Sequence, residues 1–219
     1  MKLYDTQRAP NPRRVRWLMA EKGIEDIEIV QVDLLSGQHR TPEYRDKVGA
    51  PHVPALELDD GTCISESIAI CRYLETLHPE PNLFGRDAKE QAVIEMWTRR
   101  VEMYLSTPMM LTVRFTHPAL AALEEPKPEV AAYNRDSAER YMKVLDRRLA
   151  NREFIAADRF TIADIVAVTG VDFGRLIKYR PPEDYAHFNR WLGACRARPR
   201  SCAWARPGRR SASGRRDPA

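Results

Sequence analysis

The stretch that most constrains the fold of this chain is residues 53–75, VPALELDDGTCISESIAICRYLE. Two short apolar runs, at positions 55–58 and 62–64, lie on either side of the pair Asp60-Gly61. Asp-Gly between such runs is a strong signal for a tight turn between antiparallel strands. The sequence therefore predicts a β-hairpin here.

A helix is predicted to leave this hairpin at Glu66 and Ser67, where apolar residues begin to recur at helical spacing. Ser65 or Ser67 is available as its N-cap. The free N–H groups and the positive dipole end of a helix N-terminus suit a carboxylate ligand. A cis bond between Val53 and Pro54 would also leave the backbone N–H and C=O of Val53 unpaired and pointing outward. Together these features predict a site for an extended, peptide-like ligand that carries a carboxylate.

Val-Pro-x-Leu, a short hairpin and Glu-Ser-x-x-Ile, in this order, resemble the glutathione site of the cytosolic glutathione transferases. In that family a thioredoxin-like domain holds the peptide backbone of glutathione against a cis-proline. The resemblance implies that Val53, before Pro54, pairs with the cysteinyl backbone, and that Glu66 and Ser67 bind the γ-glutamyl end. It also implies that glutathione is the co-substrate.

The remaining elements of residues 1–78 predict an α/β domain. Residues 2–4 and 27–32 read as strands with a helix between them at 12–22, which gives a βαβ unit. Residues 34–47 read as a polar loop with a short helix. With the hairpin and its helix, the predicted order is βαβαββα, which is the thioredoxin-like arrangement.

Residues 79–87, which include two prolines and a glycine, predict a linker to a second, all-α domain at 88–205. A long helical pattern over 87–115 should be kinked at Pro108, because proline removes a hydrogen bond within a helix. A further helix is predicted over 129–149. Its predicted core positions are Tyr133, Tyr141, Val144, Leu145 and Leu149.

A second signature lies at Thr161 and Asp164, after Phe160. Thr161 can cap a helix while Asp164 reaches back to its N–H, and Phe160 can pack onto the first turn. The same box and staple are found in the core helix of the all-α domain of glutathione transferases. The resemblance covers residues 1–204, and Thr161 and Asp164 are interpreted as structural.

Composition limits the classes of protein that fit. At 219 residues with 43% hydrophobic content, the chain suits two small domains. No run approaches the about 20 apolar residues that cross a bilayer, and the first residues lack the apolar core of a signal peptide, so a cytoplasmic protein is expected. The four cysteines have neither Cys-x-x-Cys nor zinc spacing, which favours reduced structural thiols and no metal site.

The net charge of +4 resides in the last residues of the chain. Residues 206–219 contain five Arg and one Asp, which leaves the rest of the chain neutral. Arg, Gly, Ser and Pro without apolar periodicity predict a disordered tail. A solvated extension or an altered reading frame explains it better than a nucleic-acid or membrane partner, and neither partner is predicted.

The loop after the first strand departs from the family pattern, which usually places Tyr, Ser or Cys there. Residues 6–14 contain none of these, and the nearest tyrosine, Tyr4, lies inside the predicted strand. The segment is similar to a bacterial and fungal branch that lacks the usual catalytic residue. Asn11 is the favoured group to stabilise the glutathione thiolate, through its side-chain N–H₂ and with help from N–H groups that open the first helix. The alternative is that Asn11 only caps that helix, and Thr6 is the next candidate.

Gln38 and His39 precede a Thr-Pro pair in the region where the family recruits groups for the glycyl carboxylate, and His52 directly precedes Val53. A cationic or amide donor suits that carboxylate. Solvated loop residues are the alternative explanation.

The second substrate is expected between the two domains, beside the helix that contains Pro108. The candidate lining residues are Tyr104, Met110, Arg114 and His117. Methionine and aromatic side chains suit varied hydrophobic electrophiles, although core packing explains such residues equally well. In the similar branch a Ser and a His of this helix position a water, but Met110 and Arg114 stand at those places here, so that mechanism is not transferred.

The leading hypothesis is a homodimeric glutathione transferase that conjugates glutathione to hydrophobic electrophiles. One alternative is a glutathione-dependent disulfide reductase that uses the thiol of glutathione itself. The other is a non-catalytic module for glutathione binding or assembly, which the missing Tyr, Ser or Cys favours and the complete Glu-Ser and Val-Pro motifs oppose.

Overall fold

The computed structural model describes residues 1–201. The predicted tail at 206–219 and the thiol of Cys202 lie outside these residues. Residues 1–201 form an α/β half followed by a helical half, as the sequence predicted.

A four-stranded mixed sheet forms the centre of the first half. Its strands are β1 (Lys2–Asp5), β2 (Glu28–Gln31), β3 (Ala55–Glu57) and β4 (Cys63–Ser65). The spatial order is β2-β1-β3-β4, with β1 parallel to β2 and antiparallel to β3, and β3 antiparallel to β4. The predicted hairpin is therefore confirmed, and Gly61 occupies its turn with a φ of 85°.

Three helices accompany this sheet. They are α1 (Pro10–Lys22), α2 (Pro42–Val48) and α3 (Ser67–Leu77), with a short 3₁₀ turn at Gln38–Arg40. Helix α1 begins two residues earlier than predicted, because Pro10 occupies its first position, where a missing N–H costs nothing. The predicted serine cap of α3 is wrong: Glu66 is the N-cap residue, and no side chain caps this helix.

The second half is helical. Within the described residues its α-helices are α4 (Ala88–Val101), α5 (Thr107–Arg114), α6 (Pro128–Leu149), α7 (Ile162–Phe173) and α8 (Ala186–Arg196). The predicted interruption near Pro108 takes the form of a π-helical turn, Glu102–Ser106, between α4 and α5. Proline has no N–H to donate to the preceding turn, and the wider turn accommodates this loss.

Helix α7 is the buried centre of the helical half, and its first ten residues are all buried. The capping box of Thr161 and Asp164 opens this helix as predicted. On α6, Leu145 and Leu149 are buried as predicted. Tyr133 and Val144 are exposed, so their assignment to the core was wrong, and Ala131, Ala138 and Met142 occupy the buried face instead.

One continuous apolar core joins the two halves. It runs from Leu3 and Trp17 through Ile94 to Trp191. Helix α1 packs against both α3 and α7, so it connects the sheet to the helical half. None of the helices in residues 1–201 is long and apolar enough to cross a membrane.

Candidate active site

A cleft of about 860 Å³ lies between the sheet half and the helical half. It brings together most of the predicted site residues, namely Thr6, Asn11, Gln38, His39, His52, Val53, Pro54, Glu66, Ser67, Met110, Arg114 and His117. One predicted residue, Tyr104, does not line the cleft.

The Val53-Pro54 peptide bond is cis. The backbone N–H and C=O of Val53 have no hydrogen-bond partner within residues 1–201. The preceding carbonyl, of His52, accepts a 2.8 Å hydrogen bond from the hydroxyl of Tyr44, which fixes the approach to the cis bond. Val53 therefore presents a backbone donor and acceptor to the cleft, as an unpaired strand edge would.

Glu66 and Ser67 lie where α3 begins. Glu66 has a φ of 69°, an uncommon conformation for a residue other than glycine and one that recurs at functional sites. Ser67 is buried, and its Oγ accepts a 3.1 Å hydrogen bond from the guanidinium of Arg14. The hydroxyl of Ser67 thus keeps its own hydrogen for a further partner.

Asn11 occupies the first turn of α1 between Pro10 and Pro12. It does not cap the helix, because the N-cap residue is Ala9 and no side chain caps α1. Prolines have no N–H, so Asn11 carries the first backbone donor of this helix, and that N–H has no partner in the described chain. Within residues 1–201, the buried Oδ1 of Asn11 is also without a partner. The sequence predicted several N–H donors at the start of α1. In the described residues, the available donors there are the backbone N–H and the side-chain N–H₂ of Asn11.

Thr6 and Tyr4 carry the two other hydroxyl groups near this loop, and only one of the two residues lines the cleft. Thr6 lines the cleft, and its carbonyl accepts a 3.3 Å hydrogen bond from the N–H of Ala9. Tyr4 does not line the cleft, and its hydroxyl donates a 2.5 Å hydrogen bond to Glu57. Burial and the carboxylate of Glu57 raise the pKa of Tyr4. Tyr4 is therefore not placed to replace the missing catalytic residue.

Gln38, His39 and His52 line the cleft from the first half of the chain. His39 is only 7% exposed, and its buried Nδ1 has no partner among the described residues. Burial lowers the pKa of His39, and the neighbouring Arg40 and His52 lower it further. This lowered pKa disfavours the cationic form of His39, so of the cationic and amide donors that the sequence indicated here, the amide of Gln38 is the better supported. Gln38 accepts a 2.8 Å hydrogen bond from the N–H of Asp33 through its Oε1, which leaves its amide N–H₂ as a donor.

The helical half contributes Met110, Arg114 and His117 to the opposite wall. Arg114 forms a 3.1 Å ion pair with Glu124. The Nδ1 of His117 accepts a 3.2 Å hydrogen bond from the N–H of Ala119. Apolar residues complete the wall and were not predicted from the sequence: Leu120, Leu123, Phe173 and Leu176.

Tyr104 lies on another face of its helix. It is 49% exposed and packs on Tyr141, with ring centroids 5.4 Å apart. Met110 precedes Arg114 by four residues, so these two residues share the helix face that meets the cleft. The assignment of Tyr104 to the second-substrate wall is corrected accordingly.

Comparison with known proteins agrees with this geometry. The family model described as "Glutathione S-transferase, N-terminal domain" matches residues 3–82, and "Glutathione S-transferase, C-terminal domain" matches residues 103–199. Glutathione S-transferase 2 of Saccharomyces cerevisiae is 35% identical over 208 residues, which cover 91% of this chain and 87% of the relative.

Solved structures extend the similarity to the whole fold. A glutathione S-transferase domain-containing protein from Marinobacter aquaeolei is 40% identical and superimposes with a TM-score of 0.87, over 92% of this chain and 100% of that one. Gtt2 from Saccharomyces cerevisiae is 33% identical with a TM-score of 0.87, over 94% of this chain and 100% of that one. The chain therefore belongs to the glutathione S-transferase family, whose members use glutathione as co-substrate.

Proposed function

We propose that this protein is a glutathione transferase that conjugates the thiolate of glutathione to apolar electrophiles. One observation carries the proposal. A single cleft contains the unpaired backbone of Val53, the buried hydroxyl of Ser67 and the unpartnered amide of Asn11. These groups match the peptide backbone, the γ-glutamyl carboxylate and the thiol of an extended glutathione.

Binding would use both ends of glutathione. Val53 pairs with the cysteinyl backbone beside Pro54, and Ser67 donates its hydroxyl hydrogen to the γ-glutamyl carboxylate. Glu66 attracts the γ-glutamyl ammonium group. The glycyl carboxylate lies beside Gln38, His39 and His52, and Arg40, which also lines the cleft, adds a positive charge. Charge-assisted hydrogen bonds of this kind are about twice as strong as neutral ones.

The chemical step needs a thiolate near neutral pH. A free thiol has a pKa of about 8.5, and lowering it by two units takes about 2.7 kcal/mol of preferential stabilisation of the anion. The backbone and side-chain N–H groups of Asn11, at the positive end of α1, supply donors for this purpose. Thr6 is the alternative donor. The thiolate sulfur then forms a bond to the electrophilic carbon, and the displaced group leaves with the electron pair.

The electrophile would occupy the wall of the helical half. Met110, Phe173 and Leu176 offer a pliable apolar surface, and Arg114 and His117 add polar groups at its edge. This mixture favours hydrophobic electrophiles with a polar or anionic leaving group.

We further propose a homodimer that acts in the cytoplasm. Leu77, Met96 and Met103 are large apolar side chains exposed on α3, α4 and the π-turn, which supports an apolar contact with a second copy. The three cysteines within residues 1–201 are free thiols, as is usual in a reducing compartment. Light scattering at micromolar concentration tests the dimer, and a monomeric mass would refute it.

Two further functions stay open to test. A disulfide reductase would have to use the thiol of glutathione, because none of the cysteines in the described residues lines the cleft. A non-catalytic module would bind glutathione without turning over any electrophile or disulfide.

The deciding experiment is calorimetry of glutathione binding to the wild type and to Ser67→Ala, followed by thiolate absorbance against pH on the same samples. We expect the wild type to bind glutathione with a thiol pKa near neutrality, and Ser67→Ala to bind at least about tenfold more weakly, since a lost charge-assisted hydrogen bond costs about 1.5–3 kcal/mol. Binding with an unshifted thiol would support the module, and no binding would refute the proposal. Turnover of 1-chloro-2,4-dinitrobenzene without reduction of a glutathione mixed disulfide would exclude the reductase.

A further inference from the structure

Arg14 of α1 is one of the largest fully buried side chains of the molecule, with 1% of its surface exposed. Its guanidinium donates hydrogen bonds to three side chains: to Ser67 Oγ at 3.1 Å, to Glu102 Oε1 at 3.0 Å and to Ser106 Oγ at 2.7 Å. A buried cation is costly unless it is paired and hydrogen-bonded. Glu102 supplies the opposite charge, so Arg14 is held in place by its partners.

The three partners come from both halves of the protein. Ser67 opens α3 in the first half, whereas Glu102 and Ser106 are the first and last residues of the π-turn in the second half. Ser106 is itself fixed against α7, because a Cβ added to Gly170 would lie only 2.4 Å from its Oγ. The π-turn therefore anchors a guanidinium that reaches across to the cleft wall.

The direction of these bonds matters for the ligand. A guanidinium only donates hydrogen bonds, so the Oγ of Ser67 must act as an acceptor toward Arg14. The hydroxyl hydrogen of Ser67 is then left for an acceptor in the cleft, and the adjacent positive charge makes that hydroxyl a better donor. If the side chain at position 14 could also accept hydrogen bonds, Ser67 could rotate and donate its hydroxyl hydrogen to that side chain instead of to the ligand.

We propose that Arg14 is a positioning residue that orients Ser67 for the γ-glutamyl carboxylate and makes glutathione affinity depend on the π-turn of the helical half. This inference rests on the proposed function, because it concerns the same glutathione site. Arg14 does not line the cleft, so it acts through Ser67 rather than by contact with glutathione.

The test is a double-mutant cycle of Arg14→Met and Ser67→Ala, read by calorimetry with glutathione. We expect each single substitution to raise the Kd by about tenfold, which corresponds to about 1.4 kcal/mol. We expect the double variant to be within about twofold of the weaker single variant, because residues that act through one another are not additive. Effects that multiply to about a hundredfold would overturn the proposal, as would unchanged affinity in Arg14→Met.

Steady-state kinetics separates positioning from a general structural role. Arg14→Met should raise the KM for glutathione, because Ser67 contacts the end of glutathione remote from the thiol. It should leave kcat at saturating glutathione within about twofold and the thiol pKa within about 0.3 units of the wild type. Arg13→Met is the matched control: Arg13 is the adjacent residue and joins the same halves through a 2.6 Å pair with Asp172, without contacting Ser67. Its KM for glutathione should equal that of the wild type, and an equal rise would overturn the proposal.

Two milder variants keep the test decisive if Arg14→Met does not fold. Arg14→Lys retains the charge, but an ammonium group lacks the planar set of donors that lets Arg14 contact three partners at once. Ser106→Ala removes one of these partners and does not change a residue that lines the cleft. Each should raise the KM for glutathione about three- to fivefold at constant kcat. An unchanged KM in both would overturn the role of Arg14. Absence of glutathione binding in the wild type would instead refute the proposed function itself.

Discussion

The indole N–H of Trp191 lies 2.9 Å from the fully buried carboxylate of Asp164 and donates a hydrogen bond to it. The same carboxylate accepts the backbone N–H groups of Ile155 and Thr161, each at 3.0 Å. One side chain therefore joins the start of α7 to the loop before it and to α8. Its role is wider than the helix cap that the sequence indicated.

Replacement of Asp164 by Ala should destabilise the protein by about 3–5 kcal/mol, because these three N–H groups and the hydroxyl of Thr161 lose their acceptor, and an unsatisfied buried donor costs about 1–3 kcal/mol. Chemical denaturation measures the difference. Asp136→Ala is the control, since Asp136 is an exposed residue of α6, and it should change stability by less than about 0.5 kcal/mol. A loss below about 1 kcal/mol for Asp164→Ala would contradict this account.

Gly170 allows α7 to approach the π-turn. Because an added Cβ would lie 2.4 Å from Ser106 Oγ and 2.6 Å from its Cα, Gly170→Ala should cost about 1–3 kcal/mol through overpacking. Gly193→Ala makes the same chemical change on the exposed face of α8, where nothing lies within 4 Å. That variant should be more stable by about 0.5–1 kcal/mol, because alanine favours a helix interior. Thermal unfolding of the two variants measures whether the Tm falls in Gly170→Ala and rises in Gly193→Ala. Equal changes in Tm would refute the packing argument.

Glu90 links the start of α4 to the loop before α7. A hydrogen-bonded ion pair with Arg159 lowers the pKa of Glu90 from 4.5 to about 2, and the N–H of Arg86 contributes. A carboxyl whose pKa is depressed by folding stabilises the protein above pH 4.5, and that stability is lost as the pH falls toward 2.

Glu90→Gln should therefore remove about 1 kcal/mol at pH 7, a value that allows for the partial exposure of the pair, and should flatten the decline in stability between pH 4.5 and about 2. Urea unfolding at a series of pH values measures this. Glu25→Gln, at an exposed position in the loop after α1, is the control and should leave the decline unchanged. An equally steep decline in both variants would show that other carboxyl groups cause it.

Local signals in the sequence were enough to predict most of the fold. The Asp60-Gly61 turn, the cis bond before Pro54 and the capping box at Thr161 each depend on a few neighbouring residues, and the structure contains all three. These signals are strong because they fix backbone geometry directly.

Features that depend on distant contacts were not predicted. Ser67 does not cap α3, because Glu66 occupies the N-cap position; the hydroxyl of Ser67 instead accepts a hydrogen bond from Arg14, which is 53 positions earlier in the chain. Tyr104 was assigned to the cleft because it belongs to the helix that contains Pro108, whereas in the structure it lies in a π-turn that directs Ser106 toward Arg14 of α1 and leaves Tyr104 outside the cleft. Ser67 and Ser106 both contact Arg14, a residue distant in the sequence, and local sequence signals do not indicate such contacts.

The role of Asn11 is testable through the acidity of bound glutathione. Its N–H groups would stabilise the thiolate but not the thiol, so Asn11→Ala should raise the pKa of the bound thiol by about one unit, equivalent to about 1.4 kcal/mol. The rate of conjugation at pH 6.5 should fall about tenfold, and the rise of rate with pH should move to more alkaline values. Thiolate absorbance against pH and kcat/KM profiles measure both effects.

Thr6→Val provides the comparison, because it removes the hydroxyl of the alternative donor and keeps the shape of the side chain. If Asn11 is the principal donor, the thiol pKa in Thr6→Val should stay within about 0.3 units of the wild type. The reverse pattern, with an unshifted pKa in Asn11→Ala and a raised pKa in Thr6→Val, would transfer the role to Thr6. Because the side-chain N–H₂ is lost in Asn11→Ala while the backbone N–H remains, a shift well below one unit in both variants would assign the stabilisation to the backbone at the start of α1.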